Sequence, residues 1–287
     1  MPRKAPPDYE QDLVDAGSRE HYADAALYDY EYRRRRADIA FYREIARRRL
    51  AGPGRILELG AGSGRITIPL ARDGHRVVAI DQSPAMLARL RARTEALGTA
   101  TRARIEPVAA DLRTFRVPGR FPLVIAAFNV LEHLYTRVEL DACLRRVALH
   151  LEPGGAFVFD VQLPDLAWLD RDPTRRWSKT RFTDPTTGRA MYYSTNHDYD
   201  PVSQIVLIRL YYDPVDPQAP GARAATRIVK LSQRKFFPAE LEALIAHAGL
   251  RLVDRYGDFS FGPLEPTSES QVLVCERAPK PRRKRRS

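Results

Sequence analysis

The chain has 287 residues, 44% of them hydrophobic and 29% charged, enough apolar material to bury a full core, which excludes a disordered or fibrous chain. No apolar run approaches the roughly 20 residues that a membrane-spanning helix needs, and the opening MPRKAPPDYEQD lacks the apolar stretch of a secretory signal, so a cytoplasmic protein without a membrane partner is expected. Of the net charge of +11, six positive charges (Lys280, Arg282, Arg283, Lys284, Arg285 and Arg286) crowd the last eight residues, which leaves the body only moderately basic.

Before the first clear strand, ADAALYDYEYRRRRADIAFYREIARRRL has the spacing of one or two amphipathic helices, with Arg33 to Arg36 and Arg47 to Arg49 expected on solvated faces. From Arg55 strand and helix alternate: RILELG, then GRITIPLARDG stopped near Gly74, then RVVAID. Ser83 is placed to cap the next helix with Pro84 at its first position, and Gly98 to close it. ARIEPVAAD gives a third strand; FPLVIAAFN, a fourth, is continuously apolar, as expected of a parallel strand covered on both faces. Thr136 and Glu139 form a capping box ahead of a helix whose Leu140, Cys143, Leu144 and Val147 share one face, and the turn EPGG leads into the strand GAFVFDV. From about 179 to 235 the alternation gives way to antiparallel strands: RAMYYSTNHDYD, IVLIRLYYD and ATRIVKLSQRKF. PAELEALIAHAG, RLVDRYGDF and QVLVCERA then return to the α/β pattern, so the antiparallel segment reads as an insert in one core. Cys143 and Cys275 are far apart and lack zinc-site spacing; both are expected to be reduced core residues, and no metal is implied.

The most informative stretch is LELGAGSGR, Leu57 to Arg65, at the first strand-to-helix turn. Glycines at 60, 62 and 64 allow a ligand close to the backbone and to the free amides of a helix start. Their spacing is not that of a dinucleotide fingerprint, which disfavours a nicotinamide oxidoreductase. Asp81 ends the second strand, where a carboxylate can accept from both hydroxyls of a ribose; Asp111 follows the third, placed to accept from an exocyclic adenine amine, with the Leu112 amide beside it.

These motifs resemble those of the class I S-adenosylmethionine-dependent methyltransferases: LELGAGSGR their first, VVAIDQSPAML their second, AADL the adenine-site motif, FNVLEHL the fourth, and LEPGG the turn before the fifth strand. The layout is similar to that of bacterial small-molecule methyltransferases of the glycine N-methyltransferase and nucleotide-sugar N,N-dimethyltransferase kind. The resemblance implies an α/β, Rossmann-like seven-stranded sheet with an antiparallel insert after the fifth strand and an N-terminal helical lid. It divides the chain into a lid (1–37), a cofactor-binding core (38–163), an insert over the acceptor site (164–235), the rest of the core (236–278) and a disordered basic tail (279–287). It also implies S-adenosylmethionine as cofactor, with S-adenosylhomocysteine as product. Glu58, Gly60, Ala61, Gly62 and Gly64 would then surround the methionine part, Asp81 and Gln82 the ribose, Met86, Asp111 and Leu112 the adenine, and Phe128 and Asn129 the sulfonium.

Other positions admit two readings. His133 is a candidate base for a hydroxyl acceptor, or a histidine that orients its loop. Tyr22 and Tyr28 either close over the methyl group or form the apolar stripe of a packing helix. Asp160 either binds the acceptor or caps a turn. In the insert Tyr192, Ser194 and Asn196 share one face and Tyr193, Thr195 and His197 the other; Tyr192 and Asn196 are taken as acceptor contacts. The expected activity is methyl transfer to nitrogen or oxygen of a small molecule by in-line displacement. A nucleic-acid methyltransferase using the basic tail, or a non-catalytic cofactor-binding scaffold, are the alternatives, and either a monomer or a homodimer is compatible with the sequence.

Overall fold

The computed structural model describes residues 7–216 and 226–279. The basic tail and the Pro/Gly-rich connection of the insert lie, but for their first and last residues, outside the described residues. The elements run α1 (Pro7–Gly17), α2 (Glu20–Ala23), α3 (Ala25–Glu31), α4 (Ala37–Arg49), β1 (Arg55–Leu59), α5 (Thr67–Arg72), β2 (Arg76–Asp81), α6 (Pro84–Glu95), α7 (Thr99–Arg102), β3 (Ile105–Ala109) and β4 (Phe121–Ala126). A 3-10 turn, Val130–His133, follows, then α8 (Arg137–His150), β5 (Leu151–Gln162), α9 (Leu166–Leu169), β6 (Trp177–Thr183), β7 (Ala190–Asp200), β8 (Ile205–Pro214), β9 (Arg227–Arg234), α10 (Pro238–His247), β10 (Leu250–Tyr256) and β11 (Ser270–Arg277).

Seven strands form one sheet in the order β10-β11-β5-β4-β1-β2-β3, with β11 antiparallel to both neighbours and the rest parallel. Order reverses between β1 and β4, and it is outside the carboxyl ends at such a reversal that open α/β sheets hold ligands. One apolar cluster, with Leu57, Val124, Phe157 and Phe159, covers one face of this sheet, and a second, with Phe41, Ile45, Ile56 and Val158, covers the other. Each such side chain taken from water contributes about 1.5–3 kcal/mol, so the strand ends rest on a rigid base. Cys143 and Cys275 are buried in the first cluster as free thiols.

The caps form where the side chains direct them. Ser83 Oγ accepts from the Met86 amide at 3.3 Å with Pro84 at the first position, and Thr136 and Glu139 complete the capping box of α8. Three local expectations are corrected. Gly98 does not close α6, which ends at Glu95; it precedes α7 in an ordinary extended conformation. EPGG lies inside β5 and shifts the β4–β5 register, so that Leu151 faces Phe121 but Ala156 faces Leu123. Arg33 to Arg36 form the exposed link between α3 and α4 rather than a helix face.

The insert is a second sheet, β6-β7-β8-β9, entirely antiparallel. Its inner face buries Val206, Leu210, Tyr212 and Leu231 with Leu27 of α3. The Ser232 hydroxyl of β9 donates to the Val14 carbonyl of α1 at 2.8 Å. The N-terminal helices are therefore wedged between the insert and the sheet edge that carries the glycine turn. Among the described residues no helix is long and apolar enough to cross a membrane.

Candidate functional site

The glycine turn after β1 holds Gly60, Gly62 and Gly64 at φ of 66°, 55° and 86°. A Cβ on Gly60 would lie 2.4 Å from Val130, whereas one on Gly62 would meet nothing within 4 Å. Gly60 is thus required by packing, and Gly62 borders open space. Ala61 is buried and its amide donates to the Ile80 carbonyl at 2.8 Å, fixing the turn to β2. Glu58 is buried and accepts from Thr67 Oγ1 at 2.6 Å, with its pKa pushed up to about 8 by burial. It holds the turn from behind and, like Gly60, Ala61, Gly62 and Gly64, is not part of the wall of the adjoining cavity.

Beside the turn, a cavity of about 860 Å³ is lined by Asp81, Gln82, Asp111, Leu112, Val130 and His133. The Asp81 carboxylate accepts from the Gly62 amide at 2.8 Å and the Ser83 amide at 2.7 Å. Burial raises its pKa. Asp111 reaches the wall gripped by Arg113, whose Nε lies 2.9 Å away and holds that carboxyl below its usual range; a carboxylate retains lone pairs for one further donor. Met86 is only 1% exposed and does not line this cavity, whereas Gln82 and Leu112 do.

A second cavity, of about 980 Å³, lies between the strand ends and the insert. Phe128, Asn129, Tyr28 and Tyr32 form its floor, and Tyr193, Thr195, Leu210, Gln233 and Lys235 its roof. Tyr22 lines both cavities, and its hydroxyl is 2.6 Å from His133 Nε2. Rings pack edge to face along this junction: Tyr22 to His133 at 5.3 Å, and Tyr32 to Phe128 at 4.7 Å. Burial, then the charges of His21 and Lys235, push His133 down to about 4, so its imidazole is neutral near pH 7. Burial likewise holds Tyr22 and Tyr28 in the phenol form by raising both.

Phe128 and Asn129 take φ of 70° and 60°, left-handed values that cost a side-chain-bearing residue about 1–2 kcal/mol each. Asp160 over-determines them. Fully buried at the end of β5, it accepts from the Phe128 amide at 2.8 Å, the Asn129 amide at 3.1 Å and the Tyr42 hydroxyl at 2.6 Å. With both oxygens so occupied it faces neither cavity, and its expected role as an acceptor contact is corrected to that of a support.

The insert alternation holds, but with the opposite face inward. Tyr193 and Thr195 line the cavity. Asn196 instead donates to the Pro173 carbonyl at 2.7 Å, and Lys179 lies over the Tyr192 ring at 4.5 Å, so neither Asn196 nor Tyr192 reaches the acceptor space.

Two features escaped the sequence. Lys235 is 2% exposed; its Nζ donates to Glu132 Oε2 at 2.7 Å, to Gln233 Oε1 at 3.0 Å and to Gln162 Oε1. Asp29 of α3 receives the Ser63 hydroxyl of the glycine turn and pairs with Arg89 at 2.8 Å and Arg93 at 3.4 Å on α6, tying the N-terminal helices down over the turn. Neither is announced by a motif, since each joins residues from distant parts of the chain.

A Rossmann-like sheet with a glycine turn and an acidic second-strand end beside a cavity at its order reversal is the arrangement in which open α/β sheets hold a ligand. The methyltransferase domain model matches residues 56–155. The putative methyltransferase YqeM of Bacillus subtilis is 30% identical over 234 residues, covering 77% of this chain and 82% of that one. The dTDP-3-amino-3,4,6-trideoxy-α-D-glucopyranose N,N-dimethyltransferase of Streptomyces venezuelae is 26% identical over 227 residues, 77% of this chain and 84% of that one. The CcbJ methyltransferase structure from Streptomyces caelestis superposes with a TM-score of 0.73 at 26% identity, over 91% of this chain and 99% of that chain. The chain belongs to the S-adenosylmethionine-dependent methyltransferase family, and S-adenosylmethionine is its cofactor.

Proposed function

We propose that the enzyme methylates an amine nitrogen of a small molecule held in the cavity beneath the insert. The observation that carries this reading is the shared wall: Tyr22 faces both cavities and bonds to His133 at the β4 turn, so a donor in one cavity and an acceptor in the other meet there. The cofactor fits the first cavity by its donors and acceptors. Asp81 would take the ribose hydroxyls, Asp111 and the Leu112 amide the adenine edge, and the unobstructed face of Gly62 the methionine arm, with Phe128, Asn129 and Tyr28 at the junction.

The bound cofactor supplies an electrophilic methyl group, and displacement at its carbon needs an aligned lone pair and exclusion of water. The aromatic floor and the insert exclude water; Asn129 and Tyr22, held by Asp160 and His133, set the approach. A neutral amine carries its lone pair ready and loses its proton only after the bond forms. A hydroxyl needs a base near its own pKa during the step, and His133, held near 4, is a weak one. The neutral imidazole is better suited to orienting the Tyr22 hydroxyl. The dimethyltransferase among the relatives agrees with nitrogen as acceptor.

The test is calorimetric titration with S-adenosylmethionine and S-adenosylhomocysteine, followed by mass spectrometry of a paired panel of primary amines and matched alcohols. Methylated amines with untouched alcohols are expected. Methylated alcohols, abolished by His133→Ala, would overturn the amine reading.

A further inference from the structure

The polar end of the acceptor cavity is lined by Gln162 at the end of β5 and by Gln233 and Lys235 at the end of β9, with Glu132 of the 3-10 turn buried behind them. An ammonium has three hydrogens and no lone pair. Those of Lys235 go to Glu132 Oε2, Gln233 Oε1 and Gln162 Oε1, so Lys235 has nothing left to offer a ligand although it borders the cavity. Glu132 is fully buried behind the cavity wall, its second oxygen accepting from the Gln162 backbone amide at 2.7 Å.

The Lys235 ammonium fixes the two glutamine amides. Oxygen and nitrogen of an amide are ordinarily interchangeable in a structure, but a lysine accepts nothing, so each amide must present its oxygen to Nζ and turn its NH2 away. Both glutamines line the cavity, and among the described residues neither Nε2 has a protein partner. Gln233 is only 8% exposed and lines the cavity, so its unpartnered NH2 has its remaining access there. The Lys235 charge is matched by Glu132, so the cluster offers donors and almost no net charge.

We propose that Gln162 and Gln233, oriented by Lys235, form a donor-only subsite that recognises an uncharged hydrogen-bond-accepting oxygen, a hydroxyl or carbonyl, on the acceptor's scaffold. The inference rests on the second cavity being the acceptor site, and it adds a substrate class to that reading: a polyoxygenated amine rather than a hydrocarbon one. Lys235 is a positioning residue, acting through the two amides.

The experiment compares D-glucosamine with cyclohexylamine, two ring amines of similar size of which only the first carries oxygens. Binding of each to the full-length protein saturated with S-adenosylhomocysteine is measured by calorimetry. The protein is taken as wild type, Gln233→Glu and Gln162→Glu. Each variant keeps an acceptor for Lys235 but removes the NH2; Gln162, the more exposed position, serves as the second variant should Gln233→Glu unfold. Glucosamine is expected to bind at least tenfold more tightly than cyclohexylamine, and either variant that retains the wild-type melting profile and cofactor affinity to lose that advantage. Equal affinities for the two amines, no binding of glucosamine at tens of millimolar, or an advantage that survives both substitutions would overturn the proposal. If glucosamine binds in the expected variant-sensitive way and neither amine is methylated, the amine reading of the reaction falls while the subsite stands.

Discussion

Asp160→Asn is the sharpest test of how the junction is held. The wild-type carboxylate accepts from two backbone amides and a tyrosine hydroxyl in a fully buried setting. Asparagine supplies one acceptor oxygen and turns an NH2 toward the remaining donors, leaving one or two of them unsatisfied at about 1–3 kcal/mol each. It also releases the clamp on Phe128 and Asn129, whose left-handed backbones store energy of similar size. A loss of about 2–4 kcal/mol follows, which in a chain of this length lowers Tm by about 5–12 °C, read by thermal denaturation. Turnover is expected to fall about 10- to 100-fold, because sub-ångström misplacement of the floor degrades alignment. Cofactor affinity, measured by calorimetry, should change less than threefold. Glycine adopts a positive φ at no steric cost, so Asn129→Gly in the Asp160→Asn background is expected to recover part of the lost Tm. A melting temperature within a degree of wild type and unaltered turnover would refute the clamp.

Asp81→Ala removes the expected ribose acceptor and should weaken S-adenosylmethionine binding at least tenfold by calorimetry. Tyr193→Ala is expected to raise the acceptor KM severalfold in a methyl-transfer assay, and Tyr192→Ala to leave it within twofold; the reverse order would reinstate the other face of β7. Glu31, bonded to Tyr212 Oη at 2.5 Å, has its pKa raised to about 7 by burial. A raised carboxyl pKa means that the fold binds the proton more tightly than the unfolded chain, so this contribution is complete below about pH 4.5 and is lost as pH rises through 7. Glu31→Gln should flatten the fall in Tm across that window, measured by melting at a series of pH values.

The core was legible because its signals are local. Alternating strand and helix periods, a capping box at Thr136 and acidic residues at strand ends are written within short windows, and the sheet obeys them. What escaped depends on partners far away in the chain. β6, WSKTRFT, has no alternation of its own and becomes a strand by pairing with β7. Period-two spacing separated Tyr192 from Tyr193 but carries no sign, and the face that turns inward is chosen by α3 and the core beneath the insert. Asp160 looked available because a carboxylate after a strand often is; only Tyr42, 118 residues earlier, and the β4 turn show it to be occupied. The Lys235–Glu132 pair spans 103 residues and leaves no mark in either local sequence.

The tie at Asp29 bears on the rhythm of the catalytic cycle. With α3 fastened to both the glycine turn and α6, the bonds on the one Asp29 carboxylate hold the N-terminal helices over the turn whose Gly62 borders open space. If the spent cofactor leaves past these helices, helix release rather than the transfer itself sets the interval between turnovers. The Asp29–Arg89 pair is partly open to solvent and weakens with salt. Ionic strength would then act as a throttle on product escape, distinct from any effect on acceptor affinity.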